Sequence, residues 1–144
     1  MHRTQSVSTA QELYRAAAAM EDMATLARPH IRPKHEKQLA LFLGYYFNLG
    51  FAVELYLKAF LRDVIGADPA DYGHDLQKLM DDAEKHGFSF ELQGMKKVVA
   101  VLHPSHKGLN FRYAEGAASY PYFEDLTAVH LVLEASYKGM SHLA

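Results

Sequence analysis

Glu54, Lys58 and Arg62 recur at intervals of four within the run Ala52-Val53-Glu54-Leu55-Tyr56-Leu57-Lys58-Ala59-Phe60-Leu61-Arg62. On a helix turning roughly 100° per residue they fall at about 0°, 40° and 80°, with Phe47 and Phe51 on the same side. Such a stripe has two readings. Exposed, it is a row of i,i+4 ion pairs worth a few tenths of a kcal/mol each. Pressed among aromatic rings, it is a charged cluster that orients a second charged segment, because ions shielded from water take fixed partners.

A second group of chemistry-bearing residues is the nine histidines. His74 stands in His74-Asp75-Leu76 and reads as a helix-start residue bonded to the turn before it. His103 and His106 have a ligand-like spacing, but Pro104 lies between them and is expected to end the helix, so that they share no face. No Glu-x-x-His pair suited to a di-metal bundle occurs. No metal or cofactor is therefore expected. A third group is aromatic and basic: Lys107, Phe111, Arg112, Tyr113, Tyr120, Tyr122 and Phe123. Rings beside cations stack bases and grip phosphates, although a loop packed against a bundle has the same composition.

The elements that must position these groups are helical. Thr9 and Glu12 form a capping box at the start of a helix over about 9–28, with Leu13, Ala16, Met20, Met23, Ala24 and Ala27 as its apolar stripe. Pro29 and Pro33 make the basic segment Arg28 to His35 a linker. A long helix follows over about 35–65. Its apolar residues, from Leu39 and Phe42 through Tyr45, Leu49, Val53, Tyr56, Phe60 and Val64, cover about half the circumference, wider than the stripe of a surface helix. Such breadth implies a central helix or one that also meets a second subunit, so a homodimer is expected. Gly44 and Gly50 leave room for close approach. A third helix opens at 74–76 and closes at His86-Gly87, a fourth spans 90–103, 109–122 is a loop, and a fifth spans about 123–139.

Composition narrows the classes. With 144 residues the chain is expected to be a single helical domain with a flexible stretch over 1–8. Fifteen Lys and Arg against seventeen Asp and Glu leave a net charge of −2, so any polyanion site must be local. The absence of cysteine excludes disulfides, thiolate nucleophiles and Cys-ligated metals. Leu39 to Val53 is fifteen residues, too short to span a bilayer, and no secretion signal opens the chain. A cytoplasmic location away from membranes is the expectation.

Over about 35–140 the chain resembles the HEPN family (higher eukaryotes and prokaryotes nucleotide-binding domain). The family's A-x-E-x-x-x-K-A stretch is matched by Ala52, Glu54, Lys58 and Ala59, its H-D-L by His74, Asp75 and Leu76, and its R-Y-P by Arg112 and Tyr113, with Ala114 in place of proline. The resemblance implies an all-α, up-and-down bundle of four or five helices, often dimeric and frequently paired with a nucleotidyltransferase in toxin–antitoxin systems. Active members are metal-independent endoribonucleases carrying an Arg followed four to six residues later by a His. Here no His follows Arg112 until His130, while Arg28 and His35 lie in the N-terminal linker. The expected function is thus a non-catalytic module binding RNA, a nucleotide or a nucleotidyltransferase, with Arg112, Tyr113, Lys58, Glu54, Arg62 and His74 as its polar residues. An endoribonuclease that borrows His106 or His130 is the alternative, and a purely structural homodimer a third.

Overall fold

The computed structural model describes residues 7–31, 39–107 and 123–144, and every regular element among them is helical. The all-α bundle comprises α1 (Ala10–Ala27), α2 (Leu39–Ile65), α3 (Leu76–Lys85), α4 (Leu92–Lys107) and α5 (Leu126–Gly139). Single 3₁₀ turns cover Arg28–His30, Pro69–Tyr72 and Ser141–Leu143. None of the described helices is long and apolar enough to cross a membrane.

α1 starts where the capping box places it: Thr9 Oγ1 accepts from the Glu12 amide and Glu12 Oε1 accepts from the Thr9 amide, both at 3.1 Å. Its inward face differs from the expected stripe. Tyr14 and Ala17 are buried with Leu13 and Ala24, while Met23 faces outward. The reason is the phenol of Tyr14, which donates to the Tyr137 carbonyl at 2.7 Å while its ring stacks on that of Tyr137. These two contacts fix the rotation of α1 against α5, and Ala17 and Ala24 then allow close approach to α2.

α2 is the axis of the bundle. Tyr45, Tyr46, Leu49, Val53, Tyr56, Leu57 and Leu61 are buried within the one chain, so the broad apolar arc is covered by α1, α3, α4 and α5 without a second copy. Burying each such side chain is worth about 1.5–3 kcal/mol relative to exposure. Val64, at the end of the arc, is exposed. Two further polar links tie the helix to its neighbours: Tyr56 donates its hydroxyl to Glu21 of α1, and His142, just past α5, bonds Asp63 at 2.8 Å.

Two boundaries depart from expectation. α5 begins at Leu126 rather than near 123, capped by Asp125, whose carboxylate accepts from the Ala128 amide at 3.1 Å. More consequentially, α4 does not stop at His103 but runs through Pro104 to Lys107. Proline lacks one donor and crowds the carbonyl four residues back. The burial of Leu102, Ser105 and His106 against the bundle offsets that cost, while Pro104 itself faces outward. The start of the expected long helix over 35–38, the linker His35 and the loop 109–122 lie outside the described residues.

Candidate functional site

The centre of the polar stripe on α2 is not a surface row. Glu54 is 2 % exposed and Lys58 9 %, with Lys58 Nζ donating to Glu54 Oε2 at 3.0 Å. The other carboxylate oxygen, Oε1, receives two imidazoles, His74 Nδ1 and His106 Nε2, each at 2.8 Å. One carboxylate therefore joins three elements: its own helix, the residue before the α3 cap, and the last turn of α4.

Local structure explains each placement. Pro69–Tyr72 and Gly73, at φ 54°, turn the chain back after α2. Asp75 then caps α3 by accepting from the Lys78 amide at 3.0 Å. His74, immediately before that cap, reaches Glu54 rather than bonding back to the turn as expected. His106 is delivered by the uninterrupted α4. Its ring lies over Gly50, where a Cβ would come 2.4 Å from Nδ1, so the glycine makes room for a side chain rather than a backbone. Phe51 meets both rings edge-on, with centroids 5.5 Å from His74 and 4.8 Å from His106, and Phe47 packs on Phe51 at 4.7 Å.

The electrostatics follow. Burial by itself pushes the Glu54 carboxyl up, but the His106 bond, the Lys58 charge and the His74 bond outweigh it and hold the group below its ordinary value. An ionised carboxylate only accepts, so both imidazoles donate to it. His106, fully buried, then donates from Nε2, and its Nδ1 lies beside Gly50 with no hydrogen-bond partner. At the rim, His103 Nδ1 sits 3.7 Å from Asp75 Oδ1, beyond hydrogen-bonding distance, and Lys107 Nζ is 3.4 Å from Asp75 Oδ2. The amide of Lys78 is the main reason that Asp75 is held below its ordinary value. Burial opposes this, and the Lys107 bond adds to it.

The outcome for the expected residues is divided. Glu54, Lys58 and His74 converge. Arg62 does not join them: its Nη1 donates to the Gly66 carbonyl at 2.9 Å and closes the C-terminus of α2. Arg112 and Tyr113, with Phe111, Tyr120 and Tyr122, lie outside the described residues. Phe123 packs flat on Tyr46 at 5.8 Å, and its amide donates to the Tyr46 hydroxyl, which is bundle packing. Sequence reasoning weighs His106 beside His103 and as a borrowed catalytic base, but does not place it against Glu54. Continuing the buried series Met95, Val99 and Leu102 by four residues reaches it directly, a signal masked by the expectation that Pro104 ends the helix.

A separate buried polar pair lies between α1, α2 and α5. Tyr45 and His130 share a hydrogen bond of 2.7 Å, and the other His130 nitrogen lies 3.5 Å from Thr25 Oγ1. Burial first, and the nearby Arg28 charge second, lower the His130 imidazole to about 4. It is a neutral core histidine. Arg28 itself donates to Thr127.

Among the described residues, Glu54, His74 and His106 form the one group whose donor atoms all lie within 4.8 Å of one another, close enough to share a cation. Comparison with family models, with curated proteins and with solved structures finds no match for this chain.

Proposed function

We propose that the chain is a non-catalytic HEPN-like module that binds single-stranded RNA, with Arg112 and Tyr113 as the groups that touch the ligand and the Glu54 cluster as part of the bundle that carries them. The reading rests on the A-x-E-x-x-x-K-A, H-D-L and R-Y matches, and one observation carries it furthest. At the end of α4, five residues before Arg112 in the chain, the Lys107 side chain is 62 % exposed, and the His74 ring near it in the site is 40 % exposed. A guanidinium grips a phosphate with two parallel hydrogen bonds, and a neighbouring phenol offers a face to a base. A chain of net charge −2 needs local cations to hold a polyanion, and Arg112 with the exposed Lys107, whose ammonium also lies 3.4 Å from Asp75, would supply them.

Lys58 takes a different part from the one the sequence implies. Its ammonium is turned inward onto Glu54, so it positions His74 through the carboxylate and does not meet a ligand. Binding is favoured over cleavage because His106 and His130, the two histidines that would have to serve Arg112, are both buried and bonded within the bundle. General acid–base cleavage needs such a group at the 2′-hydroxyl. A nucleotidyltransferase is the protein partner the resemblance implies.

Fluorescence anisotropy with a short labelled single-stranded RNA, in buffer containing EDTA, tests the proposal. Binding should weaken with salt, and Arg112→Ala should reduce both affinity and the salt slope, the latter by about one unit per lost phosphate contact. Arg28→Ala should leave both unchanged. Absence of binding at low salt, or sensitivity to Arg28→Ala in place of Arg112→Ala, overturns it. RNA shortened on incubation with the wild type would establish the endoribonuclease instead.

A further inference from the structure

We propose that Glu54, His74 and His106 form a binding site for a single zinc-class divalent transition metal, entered from the His74 side. Two imidazoles and one carboxylate are a donor set that zinc and its neighbours accept in sites that keep a fourth position for water. The three donor atoms are gathered around Oε1: Glu54 Oε1 is 2.8 Å from His74 Nδ1 and 2.8 Å from His106 Nε2, and all three lie within 4.8 Å of one another. Around a tetrahedral ion with bonds of about 2.0–2.1 Å, neighbouring donors stand ~3.3 Å apart. Each Oε1–nitrogen separation therefore has to open by about half an ångström.

The three ligands come from three elements, and two of them are rigid. Glu54 is in the middle of α2, and His106 is locked between Gly50 and Phe51. His74 supplies the adjustment, because it follows Gly73 in the turn and its ring is partly open to solvent. Lys58 bonds the other oxygen, Oε2, and so holds the carboxylate with Oε1 presented. Ligation through His74 Nδ1 and His106 Nε2 moves the proton each donates to Glu54 onto its other ring nitrogen or into solvent, so uptake is favoured as pH rises.

Two features set the strength of the site. A ligating imidazole normally donates its other N–H to an acceptor, and losing such an outer partner costs about 10–100-fold in affinity. His106 Nδ1 has no such acceptor, and the Lys58 charge opposes the incoming cation. The ion is therefore exchangeable and reaches full occupancy only in excess, unlike a permanent structural zinc.

Tag-free protein stripped with chelator and titrated with Co²⁺ and then Zn²⁺ tests this without reference to any RNA activity. Co²⁺ in excess should give visible absorption bands of a four- or five-coordinate site that saturate at one bound ion per chain, Zn²⁺ should bleach them, and Zn²⁺ should raise the melting temperature as expected for a ligand of the folded state. His74→Ala removes a ligand and should weaken binding by at least ~100-fold, more than the about 10–100-fold cost of losing a ligand's outer partner, while leaving the fold intact, since this ring is at the rim. His103→Ala and His142→Ala should change nothing. Should His106→Ala fail to fold, His74→Ala still decides. The proposal is overturned by absence of the Co²⁺ bands at large excess, or by bands and melting shifts that survive His74→Ala, the mark of adventitious binding to surface histidines. RNA binding in EDTA with no metal uptake would overturn the metal site alone.

Discussion

Replacing Lys58 by Met removes the one permanent cation of the Glu54 cluster, and the structure sets the size of the effect. Breaking a buried ion pair from one side costs about 3–5 kcal/mol, because the remaining charge is left shielded from water. Glu54 keeps the two imidazole bonds at 2.8 Å, each with a charged acceptor, so the lower end applies. Lys58→Met should therefore lower stability by about 3 kcal/mol. Glu54→Gln should cost a similar amount, since an ammonium only 9 % exposed then faces an amide. In the double variant neither charge remains, and the loss should be close to that of either single change. Urea unfolding of the four proteins then yields a coupling energy of about 2–3 kcal/mol, against about 0.3–0.5 kcal/mol for an exposed i,i+4 pair. A coupling at that lower value would refute the reasoning and return the stripe to the surface.

Other outcomes follow from the same packing. Gly50→Ala forces the His106 ring from its seat and should cost about 1–3 kcal/mol in urea unfolding, whereas Gly44→Ala, which meets nothing within 4 Å, should gain about 0.5–1 kcal/mol. The His130 imidazole, lowered to about 4 in the fold, takes up its proton near 6.5 when unfolded, so the unfolded state binds more protons between these values and stability falls as pH drops from 6.5 to 4. At one pKa unit per 1.36 kcal/mol the loss approaches about 3 kcal/mol, and His130→Gln should flatten that part of a melting-temperature profile. Pro104→Ala, at an outward position inside α4, restores a missing backbone bond and should raise the melting temperature by several degrees, about 1–3 kcal/mol.

The legible parts of this fold are those written in local pattern. The Thr9–Glu12 box, the breadth of the α2 arc and the His86-Gly87 stop each rest on a few neighbouring residues, and each appears where periodicity or capping puts it. The Glu54–Lys58 pair belongs to this class, since its spacing alone places both groups on one face. What periodicity does not carry is the partner across the bundle. His106 lies 52 positions from Glu54, and only the packing of α4 on α2 brings them together. Tyr14 displaced the expected face of α1 for a similar reason, because its hydroxyl finds a carbonyl 123 positions away. Arg62 shows the opposite error: it shares the stripe's spacing but sits at the helix end, where the nearest acceptor is the Gly66 carbonyl.

The location of the RNA site is tested most directly by imidazole-detected NMR. Titrating a short single-stranded RNA in EDTA into protein with ¹⁵N-labelled histidine should shift the half-exposed His74 ring first, leaving the buried His130 ring between α1, α2 and α5 in place. Shifts confined to His130 or His30, with His74 unmoved, would place the ligand beside α1 and contradict the account.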